Sequence, residues 1–163
     1  MQTISPDTVE RVWRQRIEIS PEEIEPFAIE MEGEQPGLLA YLLAAGEENF
    51  SDDEQALMLY MGLNIWEMMR QGVSGPKAVP VEAVDVMESR NITDFAVFQG
   101  QSAQDIETGL SKLIEKHTQP YVLGYAINML AQEEETGENI QEENKARIFF
   151  YLKTMVDCLD QHQ

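Results

Sequence analysis

Six carboxylates near the end of the chain are the first residues whose types could bind an ion or a partner. They fall within eleven positions: Glu133, Glu134, Glu135, Glu138, Glu142 and Glu143. A calcium loop needs acids at alternate positions, a central glycine and a closing glutamate. This spacing lacks that order, so it predicts a solvated acidic surface that attracts a basic partner.

The two histidines and the single cysteine form no complete metal or nucleophile motif. A di-metal site in a helical bundle needs a glutamate three residues before each histidine, and apolar residues precede His117 and His162 at that distance. Cys158 and His162 lie four residues apart and supply at most half of a zinc site. Acids beside Cys158 are expected to raise the pKa of its thiol, which opposes a reactive thiolate.

Other catalytic and cofactor motifs are missing from the sequence. It contains no Gly-x-Ser-x-Gly elbow, no phosphate-binding loop and no dinucleotide fingerprint. We therefore predict no catalytic residue, metal or cofactor. A non-enzymatic protein is favoured, although an enzyme stays open as the alternative.

The elements that carry these residues are predicted to be helices throughout. Helix starts are indicated at Ser5-Pro6-Asp7 and by the capping boxes at Ser20 and Ser51. Pro26 is expected to break or restart the second helix. No alternating strand pattern or hairpin signal occurs, and residues 91–101 are left open. The prediction is an all-α bundle or array of about eight helices.

Similar short segments recur in the same order in the two halves of the chain. This repetition predicts one domain, 1–163, made of two related four-helix units. The halves 1–72 and 76–163 are joined by a Gly/Pro-containing connector at 73–80. Matching pieces include Val9-Glu10 with Val81-Glu82, and Gln35-Pro36 with Gln119-Pro120. The expected arrangement is a pseudo-twofold one, with a helical-repeat stack or coincidence between capped helices as the alternatives.

The seam between these halves is the second place where a ligand could bind. Ligand pockets favour such interfaces, and an enzyme or small-molecule site there is the alternative function. The seam residues singled out are Tyr41, Asn64, Trp66 and Tyr125. Trp66 lies on an unusually apolar, methionine-rich helix, which predicts a buried central helix or, alternatively, an adaptable partner surface.

Composition and charge narrow the possible partners. The 163 residues carry 30 acids and 11 bases, for a formal charge of −19, with a normal hydrophobic share of 43%. Such a charge repels nucleic acid and anionic membranes and attracts basic proteins. With one cysteine and no apolar run that could serve as a signal or membrane anchor, the sequence favours a cytoplasmic interaction protein, monomeric or homodimeric.

Overall fold

The structure is a computed structural model that describes residues 2–16, 21–72, 75–136 and 140–163. These residues form an all-helical fold, as predicted, with a short 3₁₀ turn at Ala96–Phe98 and no β-strand. In chain order, the α-helices of the described residues are α1 (Pro6–Arg16), α2 (Pro21–Glu34), α3 (Pro36–Asn49), α4 (Asp52–Arg70), α5 (Val81–Phe95), α6 (Ala103–Lys116), α7 (Pro120–Thr136) and α8 (Glu142–Gln161).

Local capping explains several of the helix starts. The Ser51 hydroxyl accepts the Glu54 amide at 3.3 Å, and the Glu54 carboxylate accepts the Ser51 amide at 3.0 Å, which completes the predicted capping box. Ser102 accepts the Asp105 amide at 3.2 Å and caps α6 in the same position. The Ser20 box lies outside the described residues.

The centre of the fold is the contact between α4 and α8. Most of α4 is buried, which confirms a central helix, and so is most of α8. Gly62 permits a close approach, because a Cβ atom there would stand 2.6 Å from Cδ1 of Leu42 on α3 and 3.8 Å from Cδ2 of Leu152 on α8. Three helices therefore pack together at this glycine.

Most helix–helix contacts have an equivalent in the other half, if α1, α2, α3 and α4 are taken to correspond to α5, α6, α7 and α8. α1 contacts α4 and α7, and correspondingly α5 contacts α8 and α3. The pairs α2–α3 and α3–α4 have counterparts in α6–α7 and α7–α8. One contact lacks its counterpart among the described residues: α2 packs on α4, whereas α6 does not reach α8. This pattern agrees with a pseudo-twofold arrangement, and the internal duplication stays a prediction.

Two buried glutamines make equivalent bonds across the halves. The Gln35 side chain accepts a hydrogen bond from the amide of Val79, just before α5, at 3.0 Å. The Gln119 side chain accepts one from the amide of Ile4, just before α1, at 2.9 Å. Each glutamine also donates to the carbonyl two residues earlier in the same segment, both at 2.9 Å. Each half thus holds the segment that leads into the other half, and the predicted Gln-Pro match has a structural counterpart.

The register predicted for the first helices is wrong. Val9 is 8% exposed, whereas its predicted match Val81 is 58% exposed. Buried positions of α1 recur 75 positions later in α5, so Val9 corresponds to Val84. The sequence match failed because a valine followed by an acid occurs twice within one turn of α5, as Val81-Glu82 and as Val84-Asp85. The corresponding buried residues are Val9, Val12 and Arg16 in α1 and Val84, Met87 and Asn91 in α5.

Two further predictions need correction or completion. Pro26 does not break α2, which continues from Pro21 to Glu34. The proline removes one backbone donor near the helix start, and packing of Phe27 and Met31 on the core holds the helix together. The open segment 91–101 continues α5 to Phe95 and then forms the 3₁₀ turn. The described part of the connector, 75–80, is non-helical.

Candidate functional site

The first turns of α4 and α8 lie side by side because one carboxylate serves both. Glu54 is only 2% exposed and belongs to the capping box of α4. Its Oε2 also accepts the Gln141 amide, at the start of α8, at 3.2 Å and the Asn144 side-chain amide at 2.9 Å. Two positive helix ends therefore converge on a single negative charge.

The pKa of Glu54 reflects this arrangement. Burial by itself would raise the pKa, but hydrogen bonds from the Ser51 backbone, the Asn144 side chain and the Gln141 backbone outweigh it. The pKa of Glu54 is consequently lowered from its ordinary value. A charged Glu54 is thus a structural part of the place where α4 and α8 meet.

Exposed acids surround this meeting point and form what we call the acidic pole. Asp52 and Asp53 stand in the first turn of α4, and Glu142 and Glu143 in the first turn of α8. The end of α3, which leads into α4, adds further exposed carboxylates to the same end of the molecule. The acidic pole is defined as Glu47, Glu48, Asp52, Asp53, Glu142 and Glu143, all of which are exposed.

Few cations neutralise this region. Residues 17–69 contain thirteen acids and no lysine, arginine or histidine. Lys145 is half-buried on α8 and bonds Glu142 at 2.8 Å. Acids at a helix start also stabilise the helix dipole, so part of their role is structural. Their number and exposure leave a strongly negative surface beyond that role.

The acidic surface predicted from sequence lies partly in this pole. Glu142 and Glu143 belong to it. Glu133, Glu134 and Glu135 lie in the last turns of α7, but their side chains fall outside the described part of the structure. Glu138 lies outside the described residues altogether. The contribution of α4 and of the end of α3 could not be read from the sequence, because it depends on the tertiary contact at Glu54.

The structure brings two of the four predicted seam residues into contact and leaves the other two elsewhere. Asn64 donates to the Tyr125 hydroxyl at 2.8 Å, and both residues are buried. Burial raises the pKa of Tyr125, so the phenol keeps its proton. Tyr41 packs instead edge-to-face on Tyr151, with ring centroids 5.7 Å apart. Trp66 is fully buried in the core, with Arg70 over its ring at 4.5 Å.

A shallow cleft of about 290 Å³ does occur at the seam, between α1 and α7. Trp13 and Tyr125 meet edge-to-face on its wall, with ring centroids 6.1 Å apart. Glu10 is the one charged residue of its lining. Tyr125 is thus the only one of the four predicted seam residues that lines this cleft.

A partly buried ionic network that sequence reasoning missed connects α5, α8 and the α6–α7 loop. The Asp157 carboxylate lies 2.5 Å from His117 Nε2, 2.7 Å from Lys153 Nζ and 3.0 Å from Asn91 Nδ2. Burial would raise the pKa of Asp157, but these partners outweigh it and lower the pKa. The only sequence signal was the spacing of Lys153 and Asp157, four residues apart on one helix.

The His117–Asp157 pair resembles half of a catalytic triad, but its geometry leaves no free base. His117 Nδ1 accepts the Gln119 amide at 2.9 Å, so the ring proton sits on Nε2 and points at Asp157. Both ring nitrogens are therefore occupied, and neither is available to take a proton from a nucleophile. The network joins elements that are distant in sequence and is a structural device.

Cys158 and His162 do not form a ligand pair. Burial, together with the nearby Asp157, raises the pKa of the Cys158 thiol to about 12. His162 Nδ1 bonds the Cys158 carbonyl oxygen at 2.7 Å, not its sulfur. No cluster of three or more His, Cys, Asp or Glu side chains in the described residues is arranged to hold a metal ion.

Two further findings concern the chain as a whole. None of the helices, as far as the structure describes them, combines the length and the apolar character that crossing a membrane requires. Compared with known proteins, the chain matches no family model, no curated protein and no solved structure.

Proposed function

We propose that this chain is a non-enzymatic interaction protein that binds a basic protein partner through the acidic pole. The observation that supports the proposal is the junction at Glu54, which brings together the starts of α4 and α8, each with exposed acids in its first turn. Negative surfaces of this kind steer positively charged partners and raise the rate of encounter.

The composition of the surrounding surface supports the same proposal. The first half carries its acids without a cation between Arg16 and Arg70. Arg70 itself is bound to Glu30 at 2.6 Å and to Glu67 at 2.6 Å, so it neutralises acids away from the pole. A partner with clustered lysines or arginines would replace the counterions of the acidic pole.

The test compares capture of partners by the full chain and by a variant with a neutralised pole. The variant carries Glu47→Gln, Glu48→Gln, Glu142→Gln and Glu143→Gln. The immobilised proteins are exposed to an extract of the source cells at about 0.05 M and about 0.5 M sodium chloride, between which surface charges become largely screened. We expect basic proteins to be retained by the wild type at low salt and lost from the pole variant.

A matched control removes the same number of charges elsewhere on the surface. It carries Glu82→Gln, Asp94→Asn, Glu107→Gln and Glu115→Gln, which are exposed positions on α5 and α6. We expect it to retain the wild-type partners. Equal loss of partners from both variants, or retention that does not depend on salt, would contradict recognition by the acidic pole.

A further inference from the structure

A pocket of about 550 Å³ opens between the end of α5, the 3₁₀ turn, α6 and the first turns of α8. This volume is within the range of small-molecule sites, about 300–1,000 Å³. The pocket lies mainly in the second half of the chain, not at the α1–α7 seam. Its apolar wall consists of Phe95, Phe98, Ile106, Leu110, Phe149 and Phe150.

The pocket exists because α6 stands away from α8. In the first half, α2 packs on both α3 and α4, whereas α6 contacts α7 and the 3₁₀ turn without reaching α8. No residue of α6 is fully buried, although Ile106 and Leu110 follow each other on one helix face. The face of α6 that carries Ile106 and Leu110 is therefore only partly covered.

Aromatic rings give the pocket a defined wall. The Phe95 ring lies 5.6 Å from the ring of Phe98 and 5.5 Å from that of Phe150, both edge-to-face. Gly109 lets Phe98 approach α6, because a Cβ atom there would be 2.5 Å from Phe98 Cε1. Edge-to-face rings of this kind offer faces and edges to an aromatic guest.

Polar groups at the rim give the pocket a chemical preference. Arg147 is the one charged residue of the lining, and the described part of the chain offers its guanidinium no ion pair. Tyr151 also lines the pocket, and Asn49 Nδ2 donates to its hydroxyl at 3.3 Å, which leaves the phenol proton free to donate. Burial and the nearby carboxylates of Glu88 and Glu48 raise the pKa of Tyr151, and Arg147 acts in the opposite direction, so that proton is retained.

We propose that this pocket binds a small molecule with an aromatic body and one anionic group. The body would occupy the phenylalanine wall, and a carboxylate or sulfonate would bind Arg147 and the Tyr151 hydroxyl. The overall charge of −19 disfavours anions almost everywhere on this protein. Arg147, which has no ion pair with the described residues and lies beside an aromatic pocket, is the local exception, since guanidinium groups bind carboxylates with matching geometry.

The experiment uses two fluorescent probes that differ by one sulfonate group. They are 1-anilinonaphthalene-8-sulfonate and its uncharged analogue, N-phenyl-1-naphthylamine. Titration of the folded full chain with each probe gives a dissociation constant. We expect the wild type to bind the sulfonate at one site and more tightly than the neutral probe, despite the net charge of the protein.

Three variants separate the pocket from the rest of the surface. Arg147→Gln should weaken sulfonate binding about tenfold, as expected for a lost hydrogen bond to a charged group, and leave the neutral probe unchanged. Ala146→Trp, at an exposed lining position, should weaken both probes by filling the mouth of the pocket. Arg90→Gln removes an equal charge outside the lining and should change neither.

The outcomes that overturn the proposal are equally distinct. Equal effects of Arg147→Gln and Arg90→Gln would mean that net charge, not the pocket, controls the sulfonate. Unchanged binding of both probes in Ala146→Trp would place them elsewhere. Thermal melting by circular dichroism confirms that each variant is folded, so that weaker binding reports the pocket. These titrations involve no protein partner, so a failure of the acidic-pole proposal would not change their outcome.

Discussion

At the residue scale, Glu54 is the side chain that joins the start of α4 in the first half to the start of α8 in the second. We predict that Glu54→Ala destabilises the protein by about 3 kcal/mol or more, since it removes two helix-capping interactions and leaves the Asn144 amide unpaired in a buried position. Urea unfolding at neutral pH measures the change. Glu143→Ala is the control, because it removes an exposed carboxylate from the neighbouring helix start, and it should cost less than about 1 kcal/mol.

The pH dependence of the same variant tests the charge of Glu54. A carboxyl whose pKa is lowered on folding stabilises the native state above its unfolded pKa of about 4.3, and this contribution is lost as pH falls through the folded pKa. The difference in stability between wild type and Glu54→Ala should therefore shrink below about pH 4. A constant difference down to about pH 3 would show that Glu54 acts through packing and not through its charge.

At the element scale, Pro26 makes α2 weaker than its sequence otherwise allows. We predict that Pro26→Ala stabilises the protein by about 1–2 kcal/mol, because alanine restores a backbone donor inside a continuous helix at an exposed position. Pro36→Ala is the control, since proline at the first position of α3 is already favourable and its loss should give no gain. Urea unfolding compares the two. A loss of stability in Pro26→Ala would mean that the ring itself packs usefully.

Helices were predictable here where their signals are local. Ser51 and Ser102 act on amides three residues away, so their capping is visible in sequence. The prediction that Pro26 breaks α2 was wrong because packing on the core outweighs one missing hydrogen bond. The site was harder to predict, since Glu54 and Asn144 are 90 residues apart and His117 and Asp157 are 40 apart. Contacts of that kind are set by tertiary packing and produce no recognisable motif in the sequence.

At the scale of the whole molecule, the two halves share a contact pattern but differ in their surfaces. α2 closes onto α4, whereas α6 leaves a pocket open beside α8. The acidic pole lies where the starts of α4 and α8 meet, so both halves contribute to it. The acidic pole and the aromatic pocket are neighbours, because Asn49 of the pocket lining directly follows Glu48 of the pole.

A charge of −19 should also make the stability of the whole fold depend on salt. Repulsion among 30 acids opposes the compact state, and added salt screens it, so we predict that the melting temperature rises by several degrees between about 0.02 M and about 0.5 M sodium chloride. Differential scanning calorimetry measures the shift, and potassium chloride should act equally if screening is the cause. The variant with a neutralised acidic pole should show a smaller rise, because it begins with less repulsion between the starts of α4 and α8. A melting temperature that falls with salt would mean that ion pairs such as Arg70–Glu30 and Lys153–Asp157 contribute more than the repulsion removes.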